Sequence, residues 1–175
     1  MIDIAIHDDF LTSVVLENIQ AQMKTITYDP PEPEKASYYG GAFWHTRVLK
    51  TDSPVAKEIR KNIKNIFKME VIENTHVCTY TLTGATDKAR PHDDLVPGHP
   101  KDRSYNCLIY IIGDSLINNG TGFYIKKGDN LDLNSHIGFK INRAILFKRE
   151  IVHSPLHWAG NSSWRHSIAN SFVIV

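Results

Sequence analysis

Cysteine is scarce in this chain. Cys78 and Cys107 are the only two in 175 residues, which excludes a fold stapled by several disulfides. Both fall in strand-like segments, so the expectation is two buried free thiols and a reducing compartment. Long apolar runs are lacking too. Stretches such as Leu108-Ile-Tyr-Ile-Ile112 fall far short of the roughly 20 residues that cross a bilayer. The opening Met1-Ile-Asp-Ile-Ala-Ile-His-Asp-Asp9 has neither the basic start nor the apolar centre of a secretory signal, and the location expected is the cytoplasm. An excess of one charge is also missing. Twenty Lys and Arg against nineteen Asp and Glu leave a net charge of +1, which removes any general argument for nucleic acid or an anionic membrane as partner. Arg60, Lys61, Lys64 and Lys68 form one basic stripe, read as the solvated face of a helix. There is no internal repeat and no low-complexity segment.

What is present is an ordinary globular composition, 42% hydrophobic and 22% charged, in a length suited to one domain with its own core. The pattern changes along the chain. A short strand at residues 3–6 precedes an apolar helical pattern at 10–24, with Asp9 placed to cap it. Asp29-Pro-Pro-Glu-Pro-Glu34 can only be a loop. Tyr38-Tyr-Gly-Gly-Ala-Phe-Trp-His45 reads as a strand edge or a covering loop. Ser53-Pro54 opens a second helix, with Val55, Ile59, Ile63, Ile66 and Phe67 on one face. After residue 70 the period drops from 3.6 to 2. Strands are expected at 76–82, 105–112, 121–125, 137–141, 144–148 and 166–175, with turns such as Asn118-Asn-Gly120 and Lys127-Gly-Asp-Asn130 between them. Helices first and many short strands after is an α+β arrangement closing as a sandwich or barrel, with helical support at 1–70 and a β core at 71–175.

His92 and Asp94 carry the chemistry. At i and i+2 on an extended segment they share a face. An imidazole and a carboxylate side by side are two thirds of the 2-His-1-carboxylate set that holds non-haem Fe(II) with positions left open. The pair occurs twice, and His7-Asp8-Asp9 is read as the helix start instead. A third ligand should come from a later strand. His153, shortly after Asn142-Arg-Ala-Ile-Leu-Phe147, is placed for it, with His157 and His166 as competitors. In the last strand, Arg165 and Ser167 again share a face. A guanidinium fork beside a hydroxyl suits a carboxylate, and no acidic residue in that strand supplies one.

That ordered set over residues 76–172 resembles the Fe(II)/2-oxoglutarate-dependent dioxygenase superfamily, and within it the prolyl-4-hydroxylase-like branch. The stretch Ala5-Ile-His-Asp-Asp-Phe-Leu11 is similar to the opening of that branch. The resemblance implies a double-stranded β-helix, or jelly roll, braced by N-terminal helices. It implies His92, Asp94 and His153 as iron ligands. Arg165 and Ser167 then hold the distal carboxylate of 2-oxoglutarate, with Tyr80 and Tyr110 at the cosubstrate. Its cofactors would be Fe(II), 2-oxoglutarate and dioxygen, with ascorbate as an accessory reductant. The activity implied is hydroxylation of an unactivated C–H bond, with a peptidyl proline or other amino-acid residue as the family-level substrate. The chain departs from the family in running from Ile112 into Gly113-Asp114 and in having Asn119-Gly-Thr-Gly122 for a Gly-Gly turn. Tyr38, Tyr39, Trp44 and Arg103, in segments 29–41 and 95–103 or beside them, are expected substrate contacts. Two rival readings are a cupin-type metal enzyme without 2-oxoglutarate and a non-catalytic jelly-roll binding module. Arg165-x-Ser167 disfavours the first, and the complete ligand set the second.

Overall fold

The structure is a computed structural model and describes residues 4–30, 44–84, 90–116, 118–156 and 164–175. It is a mixed α+β jelly roll of two antiparallel sheets. Strands β1 (Ile4–His7), β2 (Trp44–Leu49), β3 (Val77–Gly84), β4 (Ser104–Ile112), β7 (Ala144–Lys148) and β9 (Trp164–Val173) form the large sheet, in the order β1-β7-β4-β9-β3-β2. Strands β5 (Gly120–Lys127), β6 (Asn130–Gly138) and β8 (His153–Pro155) form the small one, in the order β6-β5-β8. The first seventy residues are therefore more than helical support, because β1 pairs with β7 and β2 with β3.

Two helices cover the outer face of the large sheet. In α1 (Ser13–Thr25), Ile19 and Met23 are buried; in α2 (Pro54–Asn62), Ala56 and Ile59 are. They pack with Cys78, Tyr80, Cys107, Ile109, Ile111, Ile168 and Phe172 as one core. A second core of Tyr110, Phe123, Phe139, Ile145 and Phe147 fills the space between the sheets. The large sheet is thus covered on both faces, which is why β4 reads as a nearly continuous apolar run. Both cysteines are buried and free, and burial pushes the Cys78 thiol up to about 12, so it is inert as a nucleophile.

Several local expectations are met and others corrected. Ser53 caps α2, its hydroxyl accepting the Ala56 N–H at 3.2 Å, with Pro54 in the first turn. Of the basic stripe, Lys61, Lys64 and Lys68 are exposed, with Lys61 paired to Glu58 and Lys64 to Glu70, whereas Arg60 turns inward to Glu73 and the Thr51 carbonyl. Asp9 does not cap α1. It takes a left-handed φ of 58°, and Thr12 stands at the cap. The reason lies in Asp8, which Arg143 and Lys140 hold at 2.6 and 2.8 Å, keeping its carboxyl well below the usual range and fixing the turn before the helix. The strand expected at 137–141 is instead the end of β6, and residues 139–143 turn tightly into β7, with Asn142 at φ 65° and its side-chain amide bonded to the backbone of Leu11. Most of β6 was missed because it is an exposed edge strand: Leu131 and Leu133 alternate with polar neighbours over only five residues, and the register shifts at Asn134.

Gly120 starts β5 at φ 142°, and a Cβ there would lie 2.0 Å from the Ile137 carbonyl oxygen. Gly120→Ala is therefore expected to cost about 3 kcal/mol or more, through strain and a broken β5–β6 ladder. Urea unfolding of the variant checks this, and a loss under about 1 kcal/mol would contradict it.

Candidate metal and carboxylate site

The site rests on one cross-strand pair. His92 and His153, sixty-one positions apart, exchange both backbone hydrogen bonds, at 2.9 and 2.8 Å. In an antiparallel ladder such partners project to the same side. Their ring centroids lie 4.7 Å apart, and Asp94, two residues along, shares that side. His92 Nε2 is 3.9 Å from Asp94 Oδ1, and His153 Nε2 is 3.5 Å from Asp94 Oδ2. All three donor atoms fall within 4.8 Å of one another. Donors sharing an ion with bonds of about 2.1 Å would stand about 3 Å apart, so a small contraction suffices.

The surroundings prepare these groups as ligands. His92 Nδ1 faces the Arg90 carbonyl at 2.9 Å, and His153 Nδ1 faces that of Ile151 at 3.0 Å. Each carbonyl can only accept, so the proton sits on Nδ1 and Nε2 presents its lone pair to the site. Burial holds His153 below its ordinary value, against the opposing charge of Asp94, and so keeps the imidazole neutral. Phe147 packs edge-on against the His153 ring at a centroid distance of 4.8 Å. Asn106 donates to Asp94 Oδ2 at 2.6 Å and accepts from the Ser171 hydroxyl at 2.9 Å. That chain fixes the carboxylate's rotation. Asn106→Leu should lower Mn(II) affinity about 10- to 100-fold with the fold intact. Calorimetric Mn(II) titration tests it, and unchanged affinity would remove Asn106 from the account.

The triad opens into a cavity of about 270 Å³ between the sheets, whose lining includes Thr79, Thr81, Thr83, Thr121, Arg149, Arg165 and Ser167. Register explains the polar wall. Thr81 pairs with Ser167 and Thr83 with Arg165, so the inner faces of β3 and β9 meet in this region. Arg165 is 5% exposed. It donates to the Gly120 carbonyl at 2.8 Å and stands 6.0 Å from the Tyr110 ring centre, but its Nε has no partner. Burial pulls its proton affinity down, and Tyr110 opposes that. Among the described residues no carboxylate pairs with it. A buried guanidinium in that state can receive an anion, and none of the described residues supplies one.

Ser167 lies beside it, its hydroxyl 2.7 Å from that of Thr81. Tyr110 is wholly buried behind Arg165, its hydroxyl 2.7 Å from the Thr121 hydroxyl on the cavity wall. Tyr80 is elsewhere, and its expected place at the cosubstrate is corrected. It points to the outer face of β3 and donates to Gln22 Oε1 on α1 at 3.0 Å. Strand alternation gives the inner face to its neighbours Thr79 and Thr81. His166 also lies on the outer face, bonded to the Tyr28 hydroxyl at 3.0 Å, so it cannot compete for the metal. His157, Tyr38 and Tyr39 fall outside the described residues. Trp44 begins β2, and Arg103 is exposed on the turn before β4. Sequence reading missed Asn106, Arg149 and the threonines as site residues. The threonine alternation on β3 was visible, but in a strand it ordinarily signals a solvent face.

No family model matches the sequence, and no curated protein matches it. Solved structures do match the fold over nearly the whole chain. A Pseudomonas putida prolyl-4-hydroxylase superposes with a TM-score of 0.63 at 12% identity, covering 99% of this chain and 93% of that one. A Trichoplax adhaerens prolyl hydroxylase, solved with a hypoxia inducible factor peptide fragment, gives 0.62 at 13%, covering 97% and 83%. The non-haem α-ketoglutarate-dependent epimerase SnoN from nogalamycin biosynthesis gives 0.70 at 9%, covering 98% and 78%. The chain thus has the jelly-roll fold of the prolyl-4-hydroxylases and other 2-oxoglutarate-Fe(II) oxygenases.

Proposed function

We propose that this protein is an Fe(II)- and 2-oxoglutarate-dependent hydroxylase. The observation that carries the reading is Arg165, a buried cation with no carboxylate partner among the described residues, in the same cavity as a His-Asp-His set. A cupin-type enzyme or a binding module has no use for that pairing. The donor set also fits the ion: two imidazoles and one carboxylate on one face suit Fe(II) and leave open positions.

His92, Asp94 and His153 would hold the ion, and Arg165 with Ser167 the far carboxylate of 2-oxoglutarate. The ion, when bound, supplies with dioxygen and 2-oxoglutarate the oxidising power that turns a C–H bond into C–OH, leaving succinate and carbon dioxide. Everything else is positioning. Asn106 sets Asp94, the two backbone carbonyls set the imidazoles, and Arg165 fixes the cosubstrate's length and direction. Phe123, Phe147 and Leu108 keep the neighbourhood apolar, which strengthens each charge contact within it.

The substrate class we propose is an amino-acid residue, with peptidyl proline as the starting case. This rests on likeness of fold to prolyl hydroxylases, and SnoN shows that the same fold serves other substrates. No helix among the described residues is long and apolar enough to cross a membrane. The free thiols fit a reducing compartment, and we place the protein in the cytoplasm on that ground. The test is Fe(II)-dependent conversion of 2-oxoglutarate to succinate by the purified chain. Turnover that requires Fe(II) supports the reading; none, with bound metal verified, sinks it.

A further inference from the structure

A second buried guanidinium faces the same cavity, and the reaction as proposed leaves it without a counter-ion. Arg149 follows β7 directly and is 7% exposed. Its backbone is fixed on both sides: its N–H donates to the Ser104 carbonyl at 3.0 Å, and its own carbonyl accepts the Asp94 N–H at 2.9 Å. Its side chain lines the cavity with His92, Asp94 and His153. One terminal nitrogen donates to His99 Nδ1 at 3.4 Å, and Nε is buried with no partner. Among the described residues no carboxylate makes an ion pair with it. Burial weakens its hold on the proton, and Asp94 is the charge that opposes this. Asp94, however, is committed to Asn106 and to the metal.

The charges of the loaded site can be counted. Of the two carboxylates of 2-oxoglutarate, one goes to the ion and the other to Arg165. Arg149 then remains a buried cation on the partly apolar wall of that cavity. An uncharged substrate would seal it there unpaired, which is costly; a carboxylate would meet its planar fork with two parallel hydrogen bonds. We infer that the primary substrate carries a carboxylate and that Arg149, with His99 beside it, receives that group. This rests on the hydroxylase reading and narrows it. The carboxylate is either the α-carboxylate of a free amino acid or an acidic side chain next to the modified residue in a peptide.

The test uses the full chain with Mn(II) and 2-oxoglutarate under anaerobic conditions, so that nothing turns over. Calorimetry first measures 2-oxoglutarate binding, then titrates in each L-amino acid and its amide. The end-capped peptides Ala-Pro-Glu and Ala-Pro-Gln follow. Wild type should bind at least one carboxylate about tenfold or more tighter than its neutral partner, as loss of a charge-assisted pair implies. That preference should fall to about twofold in Arg149→Gln and survive in part in Arg149→Lys. A free amino acid as the preferred binder identifies the α-carboxylate; a preference for the Glu peptide identifies an acidic neighbour. Equal binding of acids and amides, no binding of any probe, or a preference unchanged in Arg149→Gln overturns the inference. So does loss of 2-oxoglutarate binding in that variant, which would make Arg149 the cosubstrate receptor. If wild type binds no 2-oxoglutarate, the hydroxylase reading fails and this inference with it, a result separable from the others.

Discussion

Asp94→Ala is expected to abolish tight Fe(II) binding and, with it, Fe(II)-dependent succinate formation. Asp94 is the single anion of the donor set, and it lies between two imidazoles at 3.9 and 3.5 Å. Without it, two neutral nitrogens face a divalent ion, and the buried Arg149 loses the charge that opposes its burial. Removing groups that merely orient ligands lowers metal affinity about 10- to 100-fold, so removing the charged ligand should exceed about 100-fold. The fold should survive. Asp94 is partly exposed, and its side-chain bond from Asn106 is worth about 1–3 kcal/mol at most. Metal titration, with circular dichroism as the fold control, checks this. Full Fe(II) affinity in Asp94→Ala would place the metal elsewhere.

Arg165→Met is expected to separate two properties that a structural arginine would lose together. If Arg165 is held in place for an absent anion, the ligand-free protein pays to keep it buried. Desolvating a lone ion costs several kcal/mol, whereas its bond to the Gly120 carbonyl returns about 1.5–3. The ligand-free variant should therefore melt no lower than wild type. Wild type should gain stability from 2-oxoglutarate in the presence of Mn(II), about 2.7 kcal/mol at a hundredfold excess over Kd, and the variant should gain almost none. Mn(II) binding itself should persist, because Arg165 touches none of the three donors. A variant that unfolds, or that still responds to 2-oxoglutarate, would show that Arg165 is structural.

Much of this arrangement is legible in the sequence, and what is not has physical causes. His92-x-Asp94 is local, and strand alternation alone places its two side chains together. The meeting with His153 depends on a register between distant segments, which no spacing encodes; the sequence offered candidates, and the His92–His153 bridge brings one of them to the site. Tyr80 shows the opposite failure. A tyrosine at about the right distance before the ligand pair invited a role at the cosubstrate. Because side chains alternate along a strand, a displacement of one residue puts a side chain on the other face, and Tyr80 belongs to the helix-packed core. Arg149 was unreadable for another reason. An arginine after a strand is ordinarily a solvated turn residue, and only the structure shows it buried over the cavity. The exposed edge strand β6 alternates only over Asn130-Leu-Asp-Leu-Asn134, a stretch too short to stand out beside the turn residues that precede it.

The central claim is that one cavity holds a divalent ion and a dicarboxylate side by side. Anaerobic absorption spectroscopy on the Fe(II)-loaded chain tests it most directly. Adding 2-oxoglutarate should produce a visible metal-to-ligand charge-transfer band that saturates at one equivalent per chain. The band should require Asp94, and in Arg165→Met it should form only at much higher 2-oxoglutarate concentrations. A chain that binds Fe(II) yet shows no band at any 2-oxoglutarate concentration would contradict the account.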